Sequence, residues 1–304
     1  MTVLSTGIVM LVGAGLGWAV TGTLLSYLAR RGIPAASALA MQMLVAMTLA
    51  WVILPDYTAL AASGIAAHWR LALLMFVGGF INGAGVLTMQ YAMRGGHTGL
   101  VWAIGQSALI FPFIVGLIFF HEPATSMRVL GVAAILTALL IYASTRNTGS
   151  VSVPGVKAND GSWFFQALSV MVIFGLVQSL MSLPSHLSML ADTARLRVPC
   201  FFLGFGMFYF VIWARRPLRP KSRTLGFAAI CGVTAVTSTL LLFLALDRLA
   251  QAQMASVGFP TGIGASILFY TIYSIIILRE PFSFRHAFGM TANLGGLIAL
   301  ALSK

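Results

Sequence analysis

Two short stretches of this chain resemble each other: residues 119–123 read FFHEP, and residues 277–281 read ILREP. They lie 158 positions apart, and each is flanked by long apolar segments. A glycine follows each Glu-Pro pair at the same distance, Gly131 in the first case and Gly289 in the second. Two similar loops between similar pairs of apolar segments indicate that one helical unit occurs twice in the chain.

The same offset extends to the opening segments of both units. It aligns Gly17 with Gly175 and Thr21 with Ser179. The longest polar break, residues 144–161, falls between the units near the middle of the chain. We therefore predict a first five-helix repeat at residues 1–146, a linker at 147–160 and a second five-helix repeat at 161–304.

The composition indicates a membrane protein. Of the 304 residues, 59% are hydrophobic and only 8% are charged, whereas a soluble domain carries roughly 25% charged residues. A soluble fold of this composition could not cover its surface with polar groups. A fold embedded in a bilayer needs no such cover, because lipid faces most of it.

About ten apolar segments are long enough to span a bilayer, which takes roughly 20 residues. They are residues 6–28, 35–54, 69–93, 98–120, 126–143, 162–183, 193–213, 225–246, 252–278 and 284–302. Because five spans per repeat is an odd number, the second repeat must enter the membrane from the opposite face. We predict an all-α polytopic membrane protein of two inverted five-helix repeats.

The net charge of +12 does not indicate a nucleic-acid partner. The 18 Lys and Arg residues sit in short clusters between the apolar runs, where the positive-inside rule places basic residues. The expected partners are a small-molecule substrate and the lipid bilayer, with the chain as a monomer or homodimer. We expect a multi-pass protein of a bacterial inner membrane.

The chain resembles the drug/metabolite transporter superfamily, specifically its EamA-type ten-helix branch. The resemblance is carried by the two Glu-Pro loops, by the glycine-bearing segments 128–141 and 286–299 that follow them, and by Gly17-Trp18 in the first span. It implies a basket of ten helices around a central cavity lined by helices one, three, four, six, eight and nine. Helices five and ten are then peripheral.

The orientation in the membrane has two readings. Members of the resembled family have both termini in the cytoplasm, which would place six Lys and Arg residues on the cytoplasmic face and twelve on the other. The positive-inside rule favours the reverse. The cluster at residues 215–223 accounts for most of the imbalance, so the orientation stays open.

Two deep aromatic residues are candidates for substrate contact. Trp18 lies at mid-depth in the first span and Trp102 in the first part of the fourth. Tryptophan within a span commonly serves packing, but these two fall on helices that the resemblance assigns to the cavity. There they could stack on a substrate or hold a cation, a contact worth on the order of 1–2 kcal/mol when desolvated.

Uncharged polar residues at depth form the second group of candidates, and the commoner role of such residues is hydrogen bonding between helices. Larger amides cost more to bury unpaired and therefore favour a wet cavity. The predicted substrate-binding residues, besides the two tryptophans, are Thr21, Asn82, Gln106, Gln178, Ser179, Thr261 and Tyr270. None of the predicted spans carries Asp, Glu, Lys or Arg near its middle, which argues against an intramembrane carboxylate that exchanges protons.

Two prolines and two glutamates have predicted structural roles. Pro112 and Pro260 lie inside spans four and nine, where proline kinks a helix and could form a hinge between the repeats. Glu122 and Glu280 precede a proline, and each carboxylate could cap the helix that follows it. A gating role for these glutamates is the alternative.

The sequence favours a secondary transporter that works by alternating access. The best single assignment from the resemblance is export of small neutral or zwitterionic metabolites such as amino acids. The alternative within transport is an organic-cation or quaternary-amine carrier with Trp18 and Trp102 as an aromatic box. The alternative from another class is a membrane-embedded enzyme or a non-transporting partner subunit. The chain has no motif of a catalytic, metal or cofactor site, so we expect no enzyme, metal or cofactor.

Overall fold

The computed structural model describes most of the chain, and every regular element within its described ranges is a helix. The described residues are 3–30, 35–58, 60, 65–93, 98–146, 162–187, 193–215, 222–277 and 283–303. The predicted all-α class is thereby confirmed. The predicted linker at 147–160 and the second glutamate, Glu280, lie outside these residues.

The helices follow the predicted apolar segments, with a few shifted ends. In chain order they are α1 (Val3–Arg30), α2 (Ala35–Ile53), α3 (Ile65–Met93), α4 (Thr98–Gln106), α5 (Ile110–Phe119), α6 (Ser126–Arg146), α7 (Ser162–His186), α8 (Ala194–Arg215), α9 (Ser222–Gln251), α10 (Gly258–Ile276) and α11 (Phe284–Leu302). A 3-10 segment, Ser107–Leu109, joins α4 to α5, and another, Ala255–Val257, precedes α10.

Within the described ranges, seven helical stretches are long and apolar enough to cross a membrane. The outer surface of the bundle is also apolar: Phe119 and Phe165 are each 71% exposed and Phe284 is 84% exposed. Contiguous exposure of large apolar side chains is rare in soluble monomers. The chain is therefore a helical, multi-pass membrane protein.

The directions of the helices follow from their glycine contacts. Gly7 near the start of α1 lies against Leu249 near the end of α9, and Gly17 lies against Ser238. The two helices are therefore antiparallel. We call the side of the bundle where α1 begins and α9 ends the near side, and the opposite side the far side.

The helix α7 also ends on the near side. Arg197, at the start of α8, donates to Ser185 at the end of α7 and to Asp247 at the end of α9. Gly78 of α3 faces Leu180 of α7, and Gly85 faces Phe174 and Ile173, so that these helices are antiparallel. Hence α1 and α3 begin on the near side, whereas α7 ends there.

The interhelical contacts form two similar sets. α1 packs on α9 and α10, and α2 packs on α9. In the other set α7 packs on α3 and on α4 with α5, and α8 packs on α3. The helices α6 and α11 pack on each other, with Gly131 and Gly296 facing each other's backbone.

Small residues allow the tightest helix contacts. Gly79 of α3 touches the backbone carbonyl of Phe201, and Gly204 of α8 touches the backbone carbonyl of Phe76. A side chain at either glycine would overlap the facing backbone. Such small-residue contacts let membrane helices approach closely, where lipid offers no hydrophobic driving force between them.

The two prolines predicted to kink spans four and nine are placed differently within them. Pro112 lies in α5 just after the 3-10 segment Ser107–Leu109, so it does follow a break within the fourth span. Pro260 is instead in the first turn of α10, because α9 ends at Gln251 and a turn follows. Proline is accepted in a first turn, where its missing N–H has no helical partner to lose.

Candidate functional site

A cavity of about 200 Å³ lies at the centre of the bundle. Its walls come from α1 to α4 and from α7 to α10, and the two outer helices α6 and α11 contribute nothing to them. Met89, near the end of α3, and Trp102, near the start of α4, place the cavity toward the far side. The resemblance had not assigned α2 and α8 to the cavity, yet both line it.

Trp18 is held in the cavity wall by α10. Its ring lies parallel to that of Phe259, with centroids 6.4 Å apart and an interplanar angle of 10°. A Cβ on Gly262 would come within 2.8 Å of Trp18 Cζ3. The position of the indole ring therefore depends on the absence of a side chain at Gly262, and the residue lines the cavity.

Trp102 lines the same cavity from α4. A Cβ on Gly22 of α1 would lie 3.6 Å from its ring, and Phe174 belongs to the apolar cluster against which it packs. The two predicted tryptophans thus sit in one cavity, each against a glycine of another helix. Aromatic faces of this kind suit stacking or cation–π contact.

Four of the predicted polar residues line the cavity with the tryptophans. They are Thr21, Asn82, Gln106 and Gln178. Thr21 donates its hydroxyl to the Gly17 carbonyl at 3.3 Å. Gln178 is nine-tenths buried, and its Oε1 atom is buried without a hydrogen-bond partner.

The other three predicted residues lie outside the lining. Ser179 donates back to the Gly175 carbonyl of its own helix at 2.8 Å. Thr261 is buried away from the cavity. Tyr270 flanks Gly22 beside Trp102 and pairs with Tyr273 at a ring distance of 6.3 Å. All three have the expected depth, but their helices turn them toward neighbouring helices.

Gln42 of α2 is a cavity residue that sequence reasoning missed. It is 1% exposed, and its Nε2 donates to the Cys231 carbonyl on α9 at 3.4 Å. Its Oε1 atom is buried without a partner. The only available signal was its length and polarity in an apolar span, and the resemblance had not assigned the second span to the cavity.

The lining is rich in phenylalanine and free of formal charge. Phe201, Phe202 and Phe205 of α8 contribute much of the apolar wall. No Asp, Glu, Lys or Arg is among the described residues that line the cavity. A ligand there meets aromatic faces and amides instead of a counter-ion.

Glu122 makes a buried contact on the near side of the bundle. Its carboxylate accepts from the Ser256 backbone N–H at 3.1 Å and from the Ser256 hydroxyl. Arg128 Nη1 and His186 Nδ1 lie 3.9 and 3.8 Å from it. Phe259, which lines the cavity, follows Ser256 by three residues.

The prediction that Glu122 caps the helix after Pro123 is therefore wrong. The carboxylate caps the 3-10 segment Ala255–Val257 that leads into α10. The helix after Pro123 is capped instead by Thr125, whose hydroxyl accepts from the Arg128 N–H at 3.4 Å. The left-handed backbone of His121 (φ 52°) turns the loop inward and carries Glu122 to the second half of the chain.

A second buried ion pair lies on the near side. The Arg197 guanidinium is fully buried, donates to Asp247 and Ser185, and sits over the Phe243 ring at 4.9 Å. Arg128 adds further links by donating to the carbonyls of Pro123 and Gln253. We call Glu122, Arg128, His186, Arg197, Asp247 and Ser256 the near-side cluster.

No cluster of three or more His, Cys, Asp or Glu side chains suited to a metal occurs among the described residues. His121 is exposed, whereas the neighbouring Glu122 is buried outside the cavity. His97, which the enzyme alternative would also need, lies outside the described residues.

Comparison with known proteins identifies a fold and no family. No family model and no curated protein matches the chain. One crystal structure, described only as that of a protein, superimposes with a TM-score of 0.70. It covers 97% of this chain and 96% of its own at 12% sequence identity. At that identity the likeness concerns the fold alone.

Proposed function

We propose that the protein is a secondary transporter that exports small neutral or zwitterionic metabolites, such as amino acids, by alternating access. The supporting observation is the uncharged aromatic cavity, which is lined by helices from both halves of the chain and lies beside a polar cluster on the near side. In this proposal the protein is an EamA-type member of the drug/metabolite transporters in a bacterial inner membrane.

Two inverted repeats of five spans would account for the helix directions. Spans one to five are α1, α2, α3, α4 with α5, and α6; spans six to ten are α7 to α11. Corresponding helices make corresponding contacts, since α1 meets α9 and α10 as α7 meets α3 and α4 with α5. The opposite directions of α1 and α7 support the inversion, because repeats of odd span number must be inverted.

The near-side cluster is the proposed closed gate. Glu122 belongs to the first half and Ser256 to the second, so their contact ties the halves together. Exposing the cavity to the near side would require this contact to break, and charge-assisted bonds of this kind are stronger than neutral ones. Alternating access then consists of exchanging this closure for one on the far side.

Flux in proteoliposomes tests the proposal. The purified protein is reconstituted and assayed for uptake and efflux of a broad panel of amino acids and amines. We expect flux of at least one zwitterion above the level of protein-free vesicles. The absence of flux for the whole panel contradicts a transport function.

The aromatic walls favour an organic-cation carrier as a second candidate. Trp18, which is stacked on Phe259, and Trp102 both line the cavity, whose described lining carries no formal charge, and tryptophan rings attract cations. If the substrate is a quaternary amine, replacing both tryptophans with Ala should abolish its binding. Unchanged binding would exclude this candidate.

A further inference from the structure

Two aromatic rings flank one glycine at the far end of the cavity. Trp102, which lines the cavity, and Tyr270 both lie against Gly22 of α1, and the nearest ring atom of each is 3.6 Å from the position of a Cβ on that glycine. The two ring atoms are therefore no more than twice that distance apart. Because Trp102 belongs to the first half of the chain and Tyr270 to the second, the pair lies across the boundary between the halves.

The direction of α10 places Tyr270 beyond the cavity. Gly15 of α1 touches the backbone carbonyl of Gly262, and Gly22, about two turns later, faces Tyr270. The helix α10 therefore runs parallel to α1, from the near side to the far side. Ser266 lines the cavity, and Tyr270 follows it by about one turn in the far direction.

The span of α4 and α5 places Trp102 toward the same side. Gly105 of α4 faces Val170 of α7, and Gly175 of α7 faces Phe111 of α5. The span therefore runs parallel to α7 and ends with it on the near side. Trp102 is near the start of this span and so lies toward the far side.

The same span and α10 meet through small residues on the near side. A Cβ on Gly116 of α5 would come within 2.4 Å of the Ser256 side chain, just ahead of α10, and Glu122 accepts from the Ser256 backbone N–H at 3.1 Å. Direct contact thus joins the near ends of the two spans, whereas two large rings flank a glycine toward their far ends. The far side therefore has a pair of apolar surfaces, one from each half, that could close it.

We propose that Trp102 and Tyr270 are the far-side closing pair: when the Glu122–Ser256 contact breaks, the two rings pack on each other over Gly22 and separate the cavity from the far side. Aromatic rings pack with offset faces or edge to face, at centroid distances of roughly 4.5–7 Å. Gly22 leaves room for this approach because it has no side chain. The inference rests on the proposed function, since it assigns the second closure that alternating access requires.

Gly22→Ala tests the need for space between the rings. In this structure the added methyl group would be 3.6 Å from both rings, which is an ordinary van der Waals distance, and alanine is favoured over glycine in a helix interior. The variant should therefore keep or slightly raise the Tm of the intact protein. In the closed pair the same methyl group would obstruct the rings, so it should disfavour the state that is open to the near side.

Labelling from the near side measures that state. A cysteine replaces Met181, which lines the cavity on α7, in a background with both native cysteines replaced by Ser, and labelling by a membrane-impermeant maleimide is compared with and without Ser256→Ala. Ser256→Ala should raise labelling several-fold, and Gly22→Ala should reverse the rise. Gly226→Ala in α9 is the matched control, because a Cβ there meets nothing within 4 Å, and it should leave labelling unchanged.

Two substitutions at Tyr270 separate the contribution of its ring from that of its hydroxyl. Tyr270→Ala removes one of the two closing rings and should lower near-side labelling several-fold, as Gly22→Ala does. Tyr270→Phe keeps the ring and should label like the protein with Tyr270 intact. Thermal unfolding of both variants in detergent shows whether the fold is retained.

Several results would overturn the inference. They are labelling that neither Gly22→Ala nor Tyr270→Ala changes, an equal loss of labelling in Tyr270→Phe, an equal loss in Gly226→Ala, or equal labelling with and without Ser256→Ala. Flux separates this failure from failure of the proposed function. Substrate flux that Gly22→Ala leaves unchanged indicates a transporter without this closing pair, whereas the expected labelling without any flux indicates a closing pair in a protein that does not transport.

Discussion

At the scale of single residues, the tryptophan wall depends on a glycine. Gly262→Ala would bring a methyl group within 2.8 Å of the Trp18 ring, which is stacked on Phe259 of the same helix. Such overpacking costs typically about 1–3 kcal/mol, so we expect a lower Tm and weaker binding of any substrate that the flux assay identifies. Thermal unfolding in detergent and calorimetry measure both.

The control for this substitution is Gly295→Ala in α11. A Cβ there meets nothing within 4 Å, and alanine in a helix interior is favoured over glycine by about 0.5–1 kcal/mol. This variant should raise Tm slightly and leave binding intact. Equal Tm shifts in the two variants would show that Gly262 does not position Trp18.

At the scale of helices, the buried Arg197–Asp247 pair joins the ends of α7, α8 and α9. Arg197→Ala leaves Asp247 buried without its cation, and breaking a buried pair in this way costs about 3–5 kcal/mol. Arg195→Ala, two positions earlier on the exposed face of the same helix, should change stability by less than about 0.5 kcal/mol. Thermal unfolding of both variants measures the difference.

The double variant Arg197→Met with Asp247→Leu separates charge from packing. Replacing a buried ion pair with apolar residues of similar volume is often neutral or stabilising. We expect the double variant to recover most of the Tm lost by Arg197→Ala. If its Tm stays as low as that of the single variant, the Ser185 and Phe243 contacts of Arg197 are the stabilising ones.

At the scale of the whole molecule, the proposed gate predicts a change in the side from which the cavity is accessible. Met181 lines the cavity on α7, five residues before that helix ends on the near side. In a background with Cys200 and Cys231 replaced by Ser, Met181→Cys reports access to a membrane-impermeant maleimide. Ser256→Ala removes a donor to Glu122 and should increase labelling from the near side several-fold.

The near side is identified in this experiment by a tag fused ahead of α1, since α1 begins there. Ser303→Ala is the control. Ser303 is also a buried serine at the near-side end of a helix, but its hydroxyl donates to the Leu300 carbonyl and not to the cluster. Equal labelling in the two serine variants would contradict the gate.

Much of the candidate site could be predicted from position along the spans. Trp18, Trp102 and Gln178 were chosen for their depth and identity, and they line one cavity. The depth of a residue in the membrane can be estimated from its position along a span, because a helix rises by a fixed distance per residue. Ser179 and Thr261 have similar depth but face other helices, because the rotation of each helix is set by its neighbours.

The sequence by itself determined the environment and the elements of this protein. An apolar, charge-poor chain with short polar breaks must form helices in a bilayer, since a helix satisfies its own backbone there. The two Glu-Pro loops predict a unit that occurs twice.

Only the tertiary structure decided which side chains meet across the bundle. Glu122 reaches Ser256 across 134 positions, and Gln42 reaches Cys231 across 189. No local pattern encodes these pairs, because each depends on how two distant helices rotate and slide against each other. The physical reason is that an apolar helix face is as stable against lipid as against another helix. Close packing and a few buried polar contacts therefore determine how the helices are arranged.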